Sequence, residues 1–114
     1  MAEAKFRCGL EAALQVVGGK WKVLILWHLE NPTRFGELKR LLKGISEKVL
    51  IQQLRELEAD GIVNRKDFQE VPPRVEYSLT PFGKSLKTAL SPLCDWGKKH
   101  MKRIGELPSS CERQ

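Results

Sequence analysis

The stretch from Arg34 to Phe82, RFGELKRLLKGISEKVLIQQLRELEADGIVNRKDFQEVPPRVEYSLTPF, constrains the fold more than any other part of the chain. Phe35, Leu38, Leu41 and Leu42 recur at helical spacing, and the hydroxyl of Thr33 is placed to cap the helix they define. Gly44 can take the left-handed conformation that ends such a helix. Ser46 then caps a further helix reaching Asp60, with Leu50, Leu54 and Leu57 facing inward and Gly61 past its end. Gly44-Ile45-Ser46 is a turn of the length that sets two helices steeply across each other.

Two strands are expected next, Ile62 to Phe68 and Val75 to Leu79. In the second, Val75, Tyr77 and Leu79 share one face, and Glu76 and Ser78 the other. Gln69 to Arg74 joins them, stiffened by Pro72-Pro73, whose rings fix φ. The order describes a helix-turn-helix with a β-wing behind it, a unit commonly used to place its second helix in the DNA major groove. The expected class is therefore mainly α, with a small antiparallel wing of two or three strands.

The remaining segments flank that unit. Gly9 to Val17 reads as a helix with Leu10, Ala13, Leu14 and Val17 on one face, ended by Gly18-Gly19. Lys20 to Glu30 is apolar nearly all round, from Trp21 through Leu29, and belongs at the centre of a core. Asn31-Pro32 stops it. Thr80-Pro81 starts a last helix that extends to Ile104, where Phe82, Leu86, Ala89, Leu90, Leu93, Trp96 and Met101 lie near one stripe. Pro92 is expected to kink it. Residues 1–105 thus read as one winged domain with its flanking helices, and residues 106–114 as a frayed polar tail.

Composition sets the limits of this reading. A chain of 114 residues with 41% hydrophobic content is one small domain with a real core. Its net charge of +6 favours a polyanionic partner. Between Thr33 and Ser78, however, nine Lys or Arg stand against eight Asp or Glu, so DNA binding must rest on where particular cations sit. Cys8, Cys94 and Cys111 are too few and scattered for a disulfide framework, and no metal-ligand spacing appears. No cofactor or metal is expected. The longest apolar run, Val23 to Trp27, is too short to span a bilayer, and the N-terminus lacks the apolar segment of a signal peptide. A reduced, cytoplasmic protein without membrane contact is the expectation.

Signals for catalysis are absent. Gly18-Gly19-Lys20 resembles the end of a phosphate loop, but Trp21 stands where that motif needs Ser or Thr. His28 and His100 are single histidines near helix ends, and no nucleophile–base or carboxylate pair has recognisable spacing. An enzyme is not expected.

The helix after the turn carries the sharpest functional pattern. At about 100° per residue, Leu54 and Leu57 fall beside Leu50, whereas Lys48, Gln52 and Arg55 fall opposite. Those side chains can donate to guanine O6/N7, bond adenine's edge or meet phosphate. Ser46 and the free N–H groups of the first turn offer a phosphate contact. In the wing, Arg65, Lys66 and Arg74 would touch backbone or minor groove and supply affinity. A solvated polar face and a hairpin that only covers the core are the plainer alternatives. Cys8 precedes the first helix with Lys5 and Arg7 beside it, a setting that raises thiol reactivity; an inert small residue is the alternative.

CGLEAALQVVGGKWKVLILWHL, RFGELKRLLKGIS, LIQQLRELEADGIV, VPPRVEYSLTPFG and the later Trp96-Gly97 together resemble the HxlR-type winged helix-turn-helix regulators, relatives of the MarR group. The resemblance runs from Cys8 to about Lys98, and it implies a homodimeric bacterial or archaeal transcriptional regulator on an inverted-repeat operator of double-stranded DNA. It also implies dimerisation through the first and last helices, with Leu10, Leu14, Leu86, Leu90, Leu93 and Trp96 at the interface. Several members of that family sense electrophiles, quinones or disulfide stress through a cysteine at the position of Cys8. The family commonly has Pro after that cysteine, and this chain has Gly9. Two other readings remain open. One is a winged helix that docks a protein partner; the other is a regulator gated by a small aromatic ligand near Trp21, Trp27 or Trp96 at the dimer interface.

Overall fold

The most apolar segment of the chain becomes its central helix. In the computed structural model, which describes residues 6–105, α1 (Gly9–Val17) leads into α2 (Trp21–His28). A short strand β1 (Thr33–Arg34), α3 (Phe35–Leu41) and α4 (Glu47–Ala59) follow. Strands β2 (Val63–Asp67) and β3 (Val75–Leu79) then precede the long α5 (Pro81–Arg103). The tail expected at 106–114, with Cys111, and Lys5 beside Cys8 lie outside the described residues. No helix among the described residues is long and apolar enough to cross a membrane.

Ile25, Leu26 and Leu29 at the heart of the core belong to α2 or its end, and Leu38, Leu42, Leu50, Leu54 and Leu57 close over them from α3 and α4. Ile62, Val63, Tyr77 and Leu79 complete the core from the sheet side. The expected all-round burial of α2 holds on one side only: Trp21, Val23 and Leu24 are half-buried, while the charged Lys22 is buried.

The turn between α3 and α4 forms as its residues dictate. Gly44 adopts φ +90°, a conformation a Cβ would strain, and Ile45 plugs the corner as a buried residue. Ser46 Oγ accepts the Val49 N–H at 3.1 Å and caps α4. Two details of α3 differ from expectation. Thr33 is no helix cap: it pairs with Tyr77 in β1, its hydroxyl donates to the Asn31 carbonyl at 2.8 Å, and Arg34 holds the cap position without a side-chain bond. Extended backbone at Thr33 and Arg34 finds ladder partners on β3, which outweighs a single cap. Leu41 is exposed, because one short helix can turn only Leu38 and Leu42 squarely into the core.

The sheet is antiparallel in the order β1-β3-β2, with Val63 opposite Leu79 and Asp67 opposite Val75. Register places Tyr77 and Leu79 on the buried face, as the alternation requires. α5 starts at Thr80, whose Oγ1 accepts the Gly83 N–H at 2.9 Å and donates to the Gly61 carbonyl at 2.6 Å. It continues through Pro92 as one helix. Leu86 and Leu90 pack against the chain's own core, while Phe82, Leu93 and Trp96 are exposed. The apolar stripe read from the sequence therefore divides between two uses.

The start of α5 lies so close to β2 that Gly83 has no room for a side chain: a Cβ there would collide with the Ile62 carbonyl. Gly83→Ala should lose about 1–3 kcal/mol in urea unfolding, the magnitude of local overpacking. Gly36→Ala, which enters open space on α3, should lose nothing. Equal stability of the two variants would contradict the close approach.

Candidate nucleic-acid interface

α4 is amphipathic in the sense its spacing requires, and the outward side is where chemistry can occur. Leu50, Leu54 and Leu57 are buried, whereas Lys48, Gln52 and Arg55 are exposed. Among the described residues, Lys48 and Arg55 have no hydrogen-bond or ion-pair partner, so both cations are available to an anion or a base edge. Ser46 spends its oxygen lone pair on the Val49 N–H, but its hydroxyl proton remains free to donate to phosphate. Gln52 is engaged: its Nε2 donates to Glu56 Oε2 at 3.3 Å.

Between α4 and the wing runs an open cleft of about 560 Å³. Arg34, Arg55, Arg65 and Arg74 line it, with Glu58 as the acid among them. Arg34, Arg55 and Arg65 have no acidic partner among the described residues, which leaves the cleft electropositive. Nothing in the sequence singled out Arg34, because its place depends on the β1–β3 pairing that sets it opposite Glu76.

Arg74 sits elsewhere than expected. Rather than projecting from the wing tip, it is only about one-third exposed. Its Nη2 bonds Glu76 at 2.9 Å, its Nη1 lies 3.6 Å from Glu70, and its guanidinium covers the Phe68 ring at 3.9 Å. Lys66 Nζ also lies against Phe68, at 4.6 Å. Because Phe68 and Arg74 are backbone-bonded across the hairpin, these contacts hold the two wing strands together at their far end. Arg74 thus serves the shape of the wing, and Arg65 and Lys66 are its freer cations.

On the opposite flank of α4, Lys22 Nζ reaches Glu56 Oε1 at 2.6 Å from α2. Lys22 is 7% exposed, and helical periodicity gives no sign of its role, although a single cation inside WKVLILW is a visible anomaly. A charge removed from water needs a partner, and that need was the available signal.

Cys8 is exposed and occupies the position before the first turn of α1. The backbone N–H of Arg7 donates to Glu11 at 3.0 Å and its side chain pairs with the same carboxylate at 3.3 Å, so the neighbouring cation is already neutralised. Cys94 is half-buried within α5. The tryptophans do not share one pocket. Trp21 lies under Lys20, Trp96 stacks on His100 with ring centroids 5.6 Å apart, and Trp27 is buried beside Lys87.

Residues 16–105 match the family described as HxlR-like helix-turn-helix. The uncharacterized HTH-type transcriptional regulator YkvN of Bacillus subtilis is 56% identical over 94 residues, which cover 82% of this chain and 80% of that protein. YtcD of the same organism, of the same description, is 50% identical over 105 residues, covering 91% and 83%. Among solved structures, the redox regulator HypR in its reduced form superposes with a TM-score of 0.80 at 41% identity, over 86% of this chain and 98% of that one.

The Lys22 ammonium, and after it the Gln52 amide, hold the Glu56 carboxyl below its ordinary value of 4.5 by bonding its charged form. A carboxyl lowered in this way stabilises the fold above the ordinary value and loses that contribution as pH falls through the lowered one. Urea unfolding followed from about pH 6 to about pH 3 should therefore show a steeper acid loss for the parent than for Glu56→Gln. Parallel curves would contradict the pairing.

Proposed function

The chain belongs to the HxlR-like helix-turn-helix family of transcriptional regulators, and from that premise we propose that it represses transcription by binding an inverted-repeat operator as a homodimer. α4 enters the major groove, where Gln52 and Arg55 read base edges and Lys48 grips the groove wall. Ser46, Arg65 and Lys66 meet the phosphate backbone, and Arg74 keeps the wing in shape to do so. The observation that carries this reading is the pair of cations, Lys48 and Arg55, that have no partner among the described residues and lie on the exposed side of the helix after the turn. The site of action is the cytoplasm, where promoter DNA is reached.

The dimer rests on apolar surface that one chain leaves uncovered. Leu10 is 70% exposed and Leu14 58% on α1, and on α5 Leu93 is 61% and Trp96 63% exposed. Side chains of this size, left exposed on the first and last helices, are more apolar surface than a monomer would ordinarily leave in water. Leu86 and Leu90, which pack on the core, would border that interface rather than fill it. A two-fold dimer presents two copies of α4, which matches a palindromic site.

Selection of bound fragments from random DNA should enrich an inverted repeat with half-site centres about 10 to 20 base pairs apart. On that repeat, Arg55→Ala should weaken binding by about 1–3 kcal/mol and relax the preference at one position of each half-site. Lys48→Ala should weaken all sequences alike. Enrichment of no motif would refute operator binding, and enrichment of a lone half-site would refute the dimer.

Thiol control through Cys8 is the finer part of the proposal, supported by its exposure at the start of α1 and by likeness to a protein described as a redox regulator. Oxidation or alkylation there would shift α1 at the interface and misplace two recognition helices that must fit one duplex. In a mobility-shift assay with diamide or a quinone, the parent should release DNA and Cys8→Ser should retain it. Equal behaviour of the two proteins would exclude Cys8 as the switch.

A further inference from the structure

Lys22 is the buried charged side chain of the described residues, and its partner lies neither on its own helix nor within the core. It reaches instead from α2 to the helix assigned above to base reading, where Glu56 Oε1 receives it at 2.6 Å. The other oxygen of that carboxylate, Oε2, accepts Gln52 Nε2 at 3.3 Å from one turn earlier on α4. A continuous chain of bonds thus runs from a buried position on α2 to an exposed amide on the outward face of α4.

The chain has a chemical consequence at Gln52. An isolated glutamine amide can turn over and present either its oxygen or its nitrogen to a base, and its flexible stem must be ordered on binding. With one N–H committed to Glu56, the amide keeps its oxygen as a free acceptor and a second N–H as a free donor. Acceptor and donor side by side match the edge of adenine, which offers N6–H₂ and N7 in the major groove.

Resting on the reading of α4 as the recognition helix, we propose that Lys22 is a specificity-determining positioning residue. Acting through Glu56, it fixes the amide of Gln52 for adenine without itself touching DNA. Burial makes the device rigid, since Lys22 is held by the packing of α2 and cannot follow Glu56 if that side chain swings away. Affinity supplied by phosphate contacts is untouched by it; discrimination at one base pair is what it governs.

The test compares binding of the whole protein to its selected operator and to a panel with each base pair replaced in turn. Gln52→Ala first locates the base pair that Gln52 reads. Lys22→Met should lose about tenfold in discrimination at that same base pair, keep it elsewhere, and leave the salt dependence of affinity unchanged. Lys22→Arg, which restores a cation to Glu56, should recover the preference. Because Lys22→Met leaves Glu56 without its partner, the double variant Lys22→Met/Glu56→Met, which removes both charges, is the companion that should fold and show the same local loss. Unchanged discrimination in a folded Lys22→Met or double variant would overturn the proposal while leaving α4 as the reader. If Gln52→Ala alters preference nowhere, the proposal falls together with the assignment of Gln52 as a base contact.

Discussion

Everything in this molecule depends on the burial of Leu50, Leu54 and Leu57 beneath α2 and α3. Three leucines at helical spacing fasten one side of α4 so firmly that its other side is fixed in direction as well. A fully buried leucine gains about 1.5–3 kcal/mol, so rolling α4 by even a third of a turn would forfeit several kcal/mol. No surface contact of Lys48, Gln52 or Arg55 could compete with that. The direction of the exposed face is thus set by the apolar one.

The elements around α4 serve the same end by different means. Gly44 allows the chain to reverse in three residues, and Ile45 and Ser46 then fix the angle, one by burial and the other by capping. Thr80 ties the start of α5 to the Gly61–Ile62 bend, so the exit of α4, the entry of β2 and the entry of α5 share one hydrogen-bonded knot. The wing is held at its far end by Arg74, Phe68 and Glu76 rather than by an apolar core.

Sequence reading succeeded where a feature is local. Gly44, Ser46, Gly61 and Thr80-Pro81 announce their conformations through nearest neighbours, and the leucine spacing of α4 identifies its two sides. It failed where two distant segments meet. Thr33 reads as a helix cap until Tyr77 offers it a strand partner, and Arg34 enters the cleft only through that pairing. Arg74 reads as a free cation at a proline-stiffened tip, yet Glu76 and Phe68 claim it. Lys22 lies hidden in an apolar run because its partner is a different helix. In each case a charged or hydroxyl side chain found a tertiary partner that spacing alone cannot reveal.

The division of labour that results is between cations held for structure and cations left free. Lys22 and Arg74 are bonded to acids on α4 and in the wing, whereas Lys48, Arg55 and Arg65 are unpartnered among the described residues and face outward. Dimethyl sulfate interference on the selected operator tests that account directly, because guanine N7 lies in the major groove and adenine N3 in the minor. Methylation of guanine N7 in both half-sites should block binding. Interference confined to adenine N3, or none in either groove, would contradict the placement of α4 in the major groove.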